Sequence, residues 1–376
     1  MQTAHDYLQH HAAAILGDIK RLVQAQSPSL NKAAVDRCGA VLQGIVAERL
    51  GVDAQVCRQE QAGDHLAFSV GEGPAVTCIL GHFDTVWEID ELEMAERGGK
   101  LFGPGVLDMK GGLIQAVWAV RALQQCGQLQ GHRVIFICPS DEELGSPSSR
   151  RWIEEQAAGA GRVLVAEPAV ALTNEAKIAR KGVGRYDIRI TGRAAHAGNN
   201  PEEGVSAIQE MAHHILYLHG LNAPEAGTTV NVGVARGGGK INVVADRACL
   251  GVDLRVANMA EAARLEAAIN GITPRVPGIE ILVTGGMSRP PMEQTPQNEA
   301  LFRQAQRAAG RLGIELAGRA VGGGSDGNFT SALGIATLDG LGATGAGIHA
   351  RHEHIIIADI PQRAALLAEI IRGDIA

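Results

Sequence analysis

The sequence predicts an α/β protein whose main domain is interrupted by a smaller α+β module. Up to about residue 174, apolar strand-like runs alternate with helical stretches, the order that builds a sheet of mainly parallel strands. From about 183 to 285 the order becomes strand, helix, strand, strand, helix, strand, which is the ferredoxin-like arrangement. From about residue 290 the α/β order resumes, so the small module reads as an insertion. The expected division is 1–178 and 288–376 for the main domain and 179–287 for the insert. Two domains also suit the length, since 376 residues exceed what one core usually supports.

In chain order, residues 1–22 read as a polar amphipathic helix, without the charged start and apolar centre of a signal peptide. Apolar runs at 77–80, 134–138 and 163–166 read as strands. Helical periodicity is clearest from 112 to 126, where Leu113, Val117, Val120 and Leu123 form one stripe. In the insert the expected elements are strand 186–191, helix 205–219, strands 229–235 and 249–256, helix 260–270 and strand 279–283. The closing segment is expected to hold helix 298–312, strand 335–338, a short strand-like run at 347–349 and helix 361–372.

Composition narrows the function. A net charge of −7 with no clustered basic stripe argues against a nucleic-acid partner. No apolar run approaches the ~20 residues that cross a bilayer. The six cysteines show no C-x-x-C pairing and several lie in apolar runs, as buried thiols of a reducing cytoplasm would. The cytoplasm is therefore the expected location.

The strand-like runs end in groups that bind metals. His82 and Glu167 follow two of them, Asp141, Glu142 and Glu143 a third, and His349 the last, while Asp108 sits in a Gly-rich connection. In open α/β sheets the carboxyl ends of parallel strands meet at one crevice, so these residues converge there. A pooled set of His, Asp and Glu suits a divalent metal. Each residue also has a plainer reading. Asp84, two residues from His82, can fix its tautomer for a metal or simply hydrogen-bond to it. Asp108 can bridge metals or cap the following helix. Three adjacent acids repel one another and need a counter-charge or a solvated loop. Among His349, His352 and His354, spacing alone does not choose. Gly322 to Gly327 satisfies a dinucleotide-loop pattern but comes too late in the chain, and Gly239, Lys240 and Ile241 lack the Ser/Thr of a P-loop.

Taken together, the segments 81–86, 103–112, 141–146, 166–168 and 349–353 resemble, in order and spacing, the dizinc M20 metallopeptidases. That family includes glutamate carboxypeptidases of the carboxypeptidase G2 type, acetylornithine deacetylases and succinyl-diaminopimelate desuccinylases. The resemblance spans nearly the whole chain. It implies a zinc-peptidase-like catalytic domain with a mixed, mainly parallel sheet and an inserted ferredoxin-like domain that serves as lid and dimerisation module. It implies two Zn²⁺ per subunit, with Asp108 bridging, His82 and Glu167 on one ion, and Glu143 and His349 on the other. His349 is preferred because the family's last ligand stands four residues before a Glu, here Glu353. Glu142 would be the general base and Asp84 the orienter of His82. His196 would reach from a partner's lid to the oxyanion, Asn242 would lie near the substrate, and Arg289 would hold its free carboxylate, with Arg255 the weaker alternative.

The expected function is cleavage of the amide next to a free carboxylate in a small peptide or N-acyl amino acid. A carboxypeptidase releasing a C-terminal residue such as glutamate comes first, an N-acyl-amino-acid deacylase second, and a non-catalytic metal- or peptide-binding relative last. A homodimer formed through the inserted domain is the expected assembly.

Overall fold

Parallel strands covered on both faces read as near-continuous apolar runs, and the strands 75–80, 132–138 and 162–165 are apolar over most of their length, with Arg162, His132 and Arg133 at their starts. In a computed structural model of the protein, which describes residues 2–373, they form the middle of a six-stranded sheet. Its order is Gln55–Cys57, His65–Val70, His132–Cys138, Ala75–Leu80, Arg162–Val165 and Thr337–Leu338. The last four strands are mutually parallel and the first two run antiparallel to their neighbours, so the sheet is mixed and mainly parallel. The carboxyl ends of three adjacent strands thereby deliver His82, Glu143 and Glu167 to one edge.

The expected helix at 112–126 runs from Gly111 to Gln125 and is buried on almost every side. Its stripe of Leu113, Val117, Val120 and Leu123 is fully enclosed, and helices Ala4–His10 and Ile360–Arg372 pack against it as well. Gly112 makes the close fit possible, because a Cβ there would lie 2.0 Å from the Ala166 carbonyl oxygen. The helix start can thus lie directly against the strand end that carries Glu167.

Two local expectations are corrected. The single helix read over 1–22 is two helices, Ala4–His10 and Ala12–Gln24, parted at His11. The His11 ring folds back, donating from Nδ1 to the Tyr7 carbonyl at 2.7 Å and stacking on Tyr7. The run at 347–349 is a turn: only Gly345–Ala346 is extended, and His349 has a left-handed φ of 57°. Hydrogen bonds from Ala350 N to Gly347 O and from Glu353 N to Ala350 O close that turn.

The chain divides into two units, residues 1–179 with 294–321 and 325–376, and residues 180–293 with 322–324. The second unit is a four-stranded antiparallel sheet in the order Thr229–Gly237, Arg247–Val256, Gly182–Thr191, Glu280–Arg289. This is the ferredoxin-like strand order, with helices Ala207–His219 and Met259–Asn270 packed on one face. Ser206 and Asn258 cap those helices, each accepting from the backbone three residues on. The final strand runs six residues past the expected end at 283. Gly285, at φ 113°, continues the pairing where a Cβ would meet the Arg185 carbonyl oxygen at 2.2 Å. That extension carries Arg289 to the strand end.

Candidate metal centre

His82 is buried just beyond strand Ala75–Leu80. Its Nδ1 donates to the Asp84 backbone carbonyl at 3.0 Å, with the Asp84 carboxylate farther off at 3.4 Å. The expected orientation by Asp84 therefore comes mainly from the main chain of that residue. It leaves Nε2 as the lone-pair nitrogen, facing Asp108 Oδ1 at 3.2 Å and Glu167 Oε1 at 3.5 Å.

The Asp84 carboxylate has another task. It accepts from Ser29 Oγ at 2.7 Å, Glu142 N at 3.2 Å and Glu143 N at 3.3 Å. Burial would push this carboxyl upward, but His82, Ser29 and the Glu143 N–H together hold it below the usual carboxylate range. Asp84 thus ties the end of one strand to the acidic turn after the next.

That turn is not a solvated loop. Asp141 is fully buried and accepts from Ser148 N at 2.8 Å, Ser148 Oγ at 2.7 Å and Ser149 Oγ at 2.5 Å. Glu142 and Glu143 lie on the single helical turn Glu142–Leu144. Glu143 faces His349 Nε2 at 3.2 Å, and burial pushes its carboxyl up to about 7. The Glu143 contact lifts His349 in turn to about 9.

Asp108 stands between the two histidines. Its Oδ1 is 3.2 Å from His82 Nε2 and its Oδ2 is 3.6 Å from His349 Nε2. The helix that follows has no side-chain cap, so the capping role does not apply. Asp108 lies in the irregular turn Val106–Lys110, and its peptide bond to Met109 is cis.

Glu353 holds this turn in place. Its buried carboxylate accepts from Leu107 N at 2.9 Å, Asp108 N at 3.1 Å, Gly105 N at 3.2 Å and Trp87 Nε1 at 2.6 Å. Sequence reasoning used Glu353 only as a spacing marker. Lys177 was missed altogether: its Nζ lies 3.6 Å from Glu167 Oε2 in a buried setting.

The donor set fits a metal. Ligand atoms of His82, Asp108 and Glu143 all lie within 4.8 Å of one another. Glu167 and His349 flank that trio, adding a carboxylate and an imidazole to a mixed nitrogen and oxygen set of the kind Zn²⁺ takes. With protein groups alone, burial pulls His82 down but Asp108, Asp84 and Glu167 outweigh it and raise it well above its ordinary value. The carboxylates draw positive charge into the site.

The remaining candidates belong to the second unit. His196 and Asn242 are brought together: Ala197 N donates to Asn242 O at 3.0 Å, and His196 registers with Val243. The His196 Nδ1 accepts from Gly198 N at 3.1 Å and Asn199 N at 3.0 Å, so the ring caps its own turn and the proton is placed on the exposed Nε2. Arg289 and Arg255 register on either side of Val183. Arg289 is only 5% exposed, whereas Arg255 is forked onto Asp253 at 2.9 and 3.1 Å.

Comparison with known proteins follows the same lines. The sequence model described as peptidase family M20/M25/M40 matches residues 78–373. The chain is similar to carboxypeptidase G2 of a Pseudomonas species, 27% identical over 378 residues, covering 95% of this chain and 88% of the relative. It is 29% identical over 259 residues to the acetylornithine deacetylase of Proteus mirabilis, covering 63% and 65% of the two chains. Among solved structures, aminopeptidase PepT from Bacillus cereus superposes with a TM-score of 0.78 at 23% identity, covering 96% of this chain and 98% of that one.

Proposed function

Since the chain belongs to peptidase family M20/M25/M40, we propose that it is a metal-dependent carboxypeptidase that cleaves the amide next to a free carboxylate. The observation that carries this reading is the position of Asp108, with one carboxylate oxygen toward His82 and the other toward His349. A carboxylate so placed suits two cations. His82 and Glu167 would hold one, and Glu143 and His349 the other, with Zn²⁺ the metal this donor set favours. Bound there, the pair would supply Lewis acidity to the scissile carbonyl and to water.

The rest is the work of side chains. Glu142 takes the proton of the attacking water and returns it to the leaving nitrogen. Its backbone is pinned by Asp84, so its carboxylate is presented from a fixed turn. The Nε2–H of His196 is free of the turn that Nδ1 caps, and is the donor proposed for the developing oxyanion. Asn242 supports it from the adjacent segment. Arg289 is assigned the substrate carboxylate on the family resemblance of its segment, with Arg255, whose fork lies on Asp253, the weaker alternative.

The length of the match to carboxypeptidase G2 supports a C-terminal amino acid such as glutamate as the product. The second reading, N-acyl-amino-acid deacylation, rests on the shorter match to an acetylornithine deacetylase. A homodimer is supported by the strand Thr229–Gly237, which is paired on one side only, and by Leu216, 76% exposed on helix Ala207–His219. Six unpaired cysteines favour a reducing compartment such as the cytoplasm.

The test is a screen of dipeptides, folyl-glutamate conjugates and N-acyl amino acids, read by release of free amino acid, with each peptide also offered as its C-terminal amide. Faster release from peptides than from acyl amino acids, lost on amidation and in Arg289→Ala, is the expected result. Equal turnover of free and amidated peptides would remove the carboxylate clamp.

A further inference from the structure

On the inserted unit, three arginines share one sheet face without an acidic partner. Cys249 stands opposite Arg236 on one neighbouring strand and opposite Arg189 on the other, so the three side chains leave the sheet on the same side. Arg247, two residues before Cys249, lies on that face as well. Strands are spaced about 4.8 Å apart, which sets Arg189 and Arg236 about 10 Å apart at their Cα atoms. Arg247 is offset along the middle strand, within reach of both for side chains of this length.

The arginines line a groove of about 480 Å³ that also takes in the backbone of Gly237 and Gly238. All three are exposed, and among the described residues none makes an ion pair or a side-chain hydrogen bond. Arg255, farther along the same strand, is by contrast held by Asp253. The acids on this face are Asp187, two residues from Arg189, Glu280, opposite Thr191, and Asp253, which is taken by Arg255, and none of them pairs with the three arginines. The other face of the sheet is covered by its two helices and the apolar core. In a chain of net charge −7 this is a local concentration of positive charge. Like charges gathered on one sheet face oppose folding, so the cluster is a cost that a ligand would repay.

We propose that this groove binds a phosphate group of a multiply charged small anion. Three guanidinium forks lining one groove suit a tetrahedral phosphate, whose oxygens outnumber the two of a carboxylate. Cys249, at the centre of the row, gives a local reporter, since an occupant would cover its thiol.

The full-length protein is treated with iodoacetamide with and without inorganic pyrophosphate at constant ionic strength, and alkylation is read peptide by peptide. Pyrophosphate is expected to slow alkylation of Cys249 about tenfold and to leave Cys57 and Cys126, which are also partly exposed, unchanged. Combined Arg189→Gln, Arg236→Gln and Arg247→Gln should abolish the protection while peptide hydrolysis stays at its basal rate. The single Arg236→Gln, on the edge strand, should weaken it about threefold or more and guards against a triple variant that fails to fold. Protection of Cys249 that is absent in the wild type, or that survives the arginine substitutions, would overturn the site. Citrate protecting as strongly as pyrophosphate would overturn its assignment to phosphate.

Discussion

In the larger unit, Asp84, Asp108, Glu143 and Glu353 are buried around two histidines, whereas in the insert Arg189, Arg236 and Arg247 stand in water on an open sheet. The first arrangement is expensive without compensation, because an ionised carboxylate removed from water must find a cation or a proton. Glu143, pushed up to about 7, registers that demand. The exposed arginines keep their hydration and can exchange ligands freely. Burial therefore marks the region where charge needs compensation, and exposure the region where it does not.

The largest effect should come from breaking the buried side of this contrast at its centre. Asp108→Ala removes the carboxylate that, among the described residues, faces both histidines, and metal analysis should show loss at both positions with hydrolysis reduced by roughly 10³-fold or more. Full metal content in that variant would show that Asp108 does not bridge. A smaller loss is expected for Glu353→Ala, which leaves the backbone N–H groups of Leu107 and Asp108 without their acceptor. Outer groups that position metal ligands are typically worth about 10–100-fold in affinity or activity. Chelator competition should show weaker metal binding in Glu353→Ala, with partial recovery in Glu353→Gln, which keeps one acceptor oxygen.

A pH series sharpens the contrast further. His349 is raised to about 9 by Glu143, from an ordinary value of 6.5. A raised histidine contributes stability that is fully present below its unfolded value and is lost as pH climbs through its folded value. The metal-free protein should therefore melt at progressively lower temperature between about pH 6.5 and 9. Glu143, raised from 4.5 to about 7, acts in the same direction at lower pH, between about 4.5 and 7. Metal takes over the task of the protons, so the gap in melting temperature between loaded and chelated protein should widen with pH. A constant gap across the series would mean that metal and protons do not compete for these groups.

The smallest effect belongs to the insert. Ser206→Ala removes the hydroxyl that accepts from Gln209 N at the start of helix Ala207–His219. It should cost about 1 kcal/mol of stability in denaturant titration. Metal content should be untouched, and a loss of metal there would show that the two regions are not independent in this respect.

Legibility followed the same division. His82, Glu143 and Glu167 could be read because an apolar strand that ends in a metal-binding side chain is a one-dimensional signal of a three-dimensional edge. The ferredoxin-like order of the insert was equally visible in the succession of periodicities. What escaped depends on approach between segments distant in the chain. The Glu353 clamp on residues 105–108 and the contact of Lys177 with Glu167 involve no local pattern. Nor does the grip of Asp84 on the acidic turn, whose donors are backbone N–H groups 58 and 59 residues away. Strand limits differed in both directions. The strand expected to end at 283 passes on through Gly285, while Gly347 belongs to the turn that takes His349 off a strand.

Neighbouring acids, Glu142 and Glu143, are proposed to have different tasks, proton transfer for one and metal binding for the other. Metal stoichiometry measured beside turnover in Glu142→Ala and Glu143→Ala tests this division most directly. Glu142→Ala should keep two metals per subunit with kcat lower by about 10²–10⁴-fold, and Glu143→Ala should show a deficit of metal. Loss of metal from Glu142→Ala with full occupancy in Glu143→Ala would contradict it.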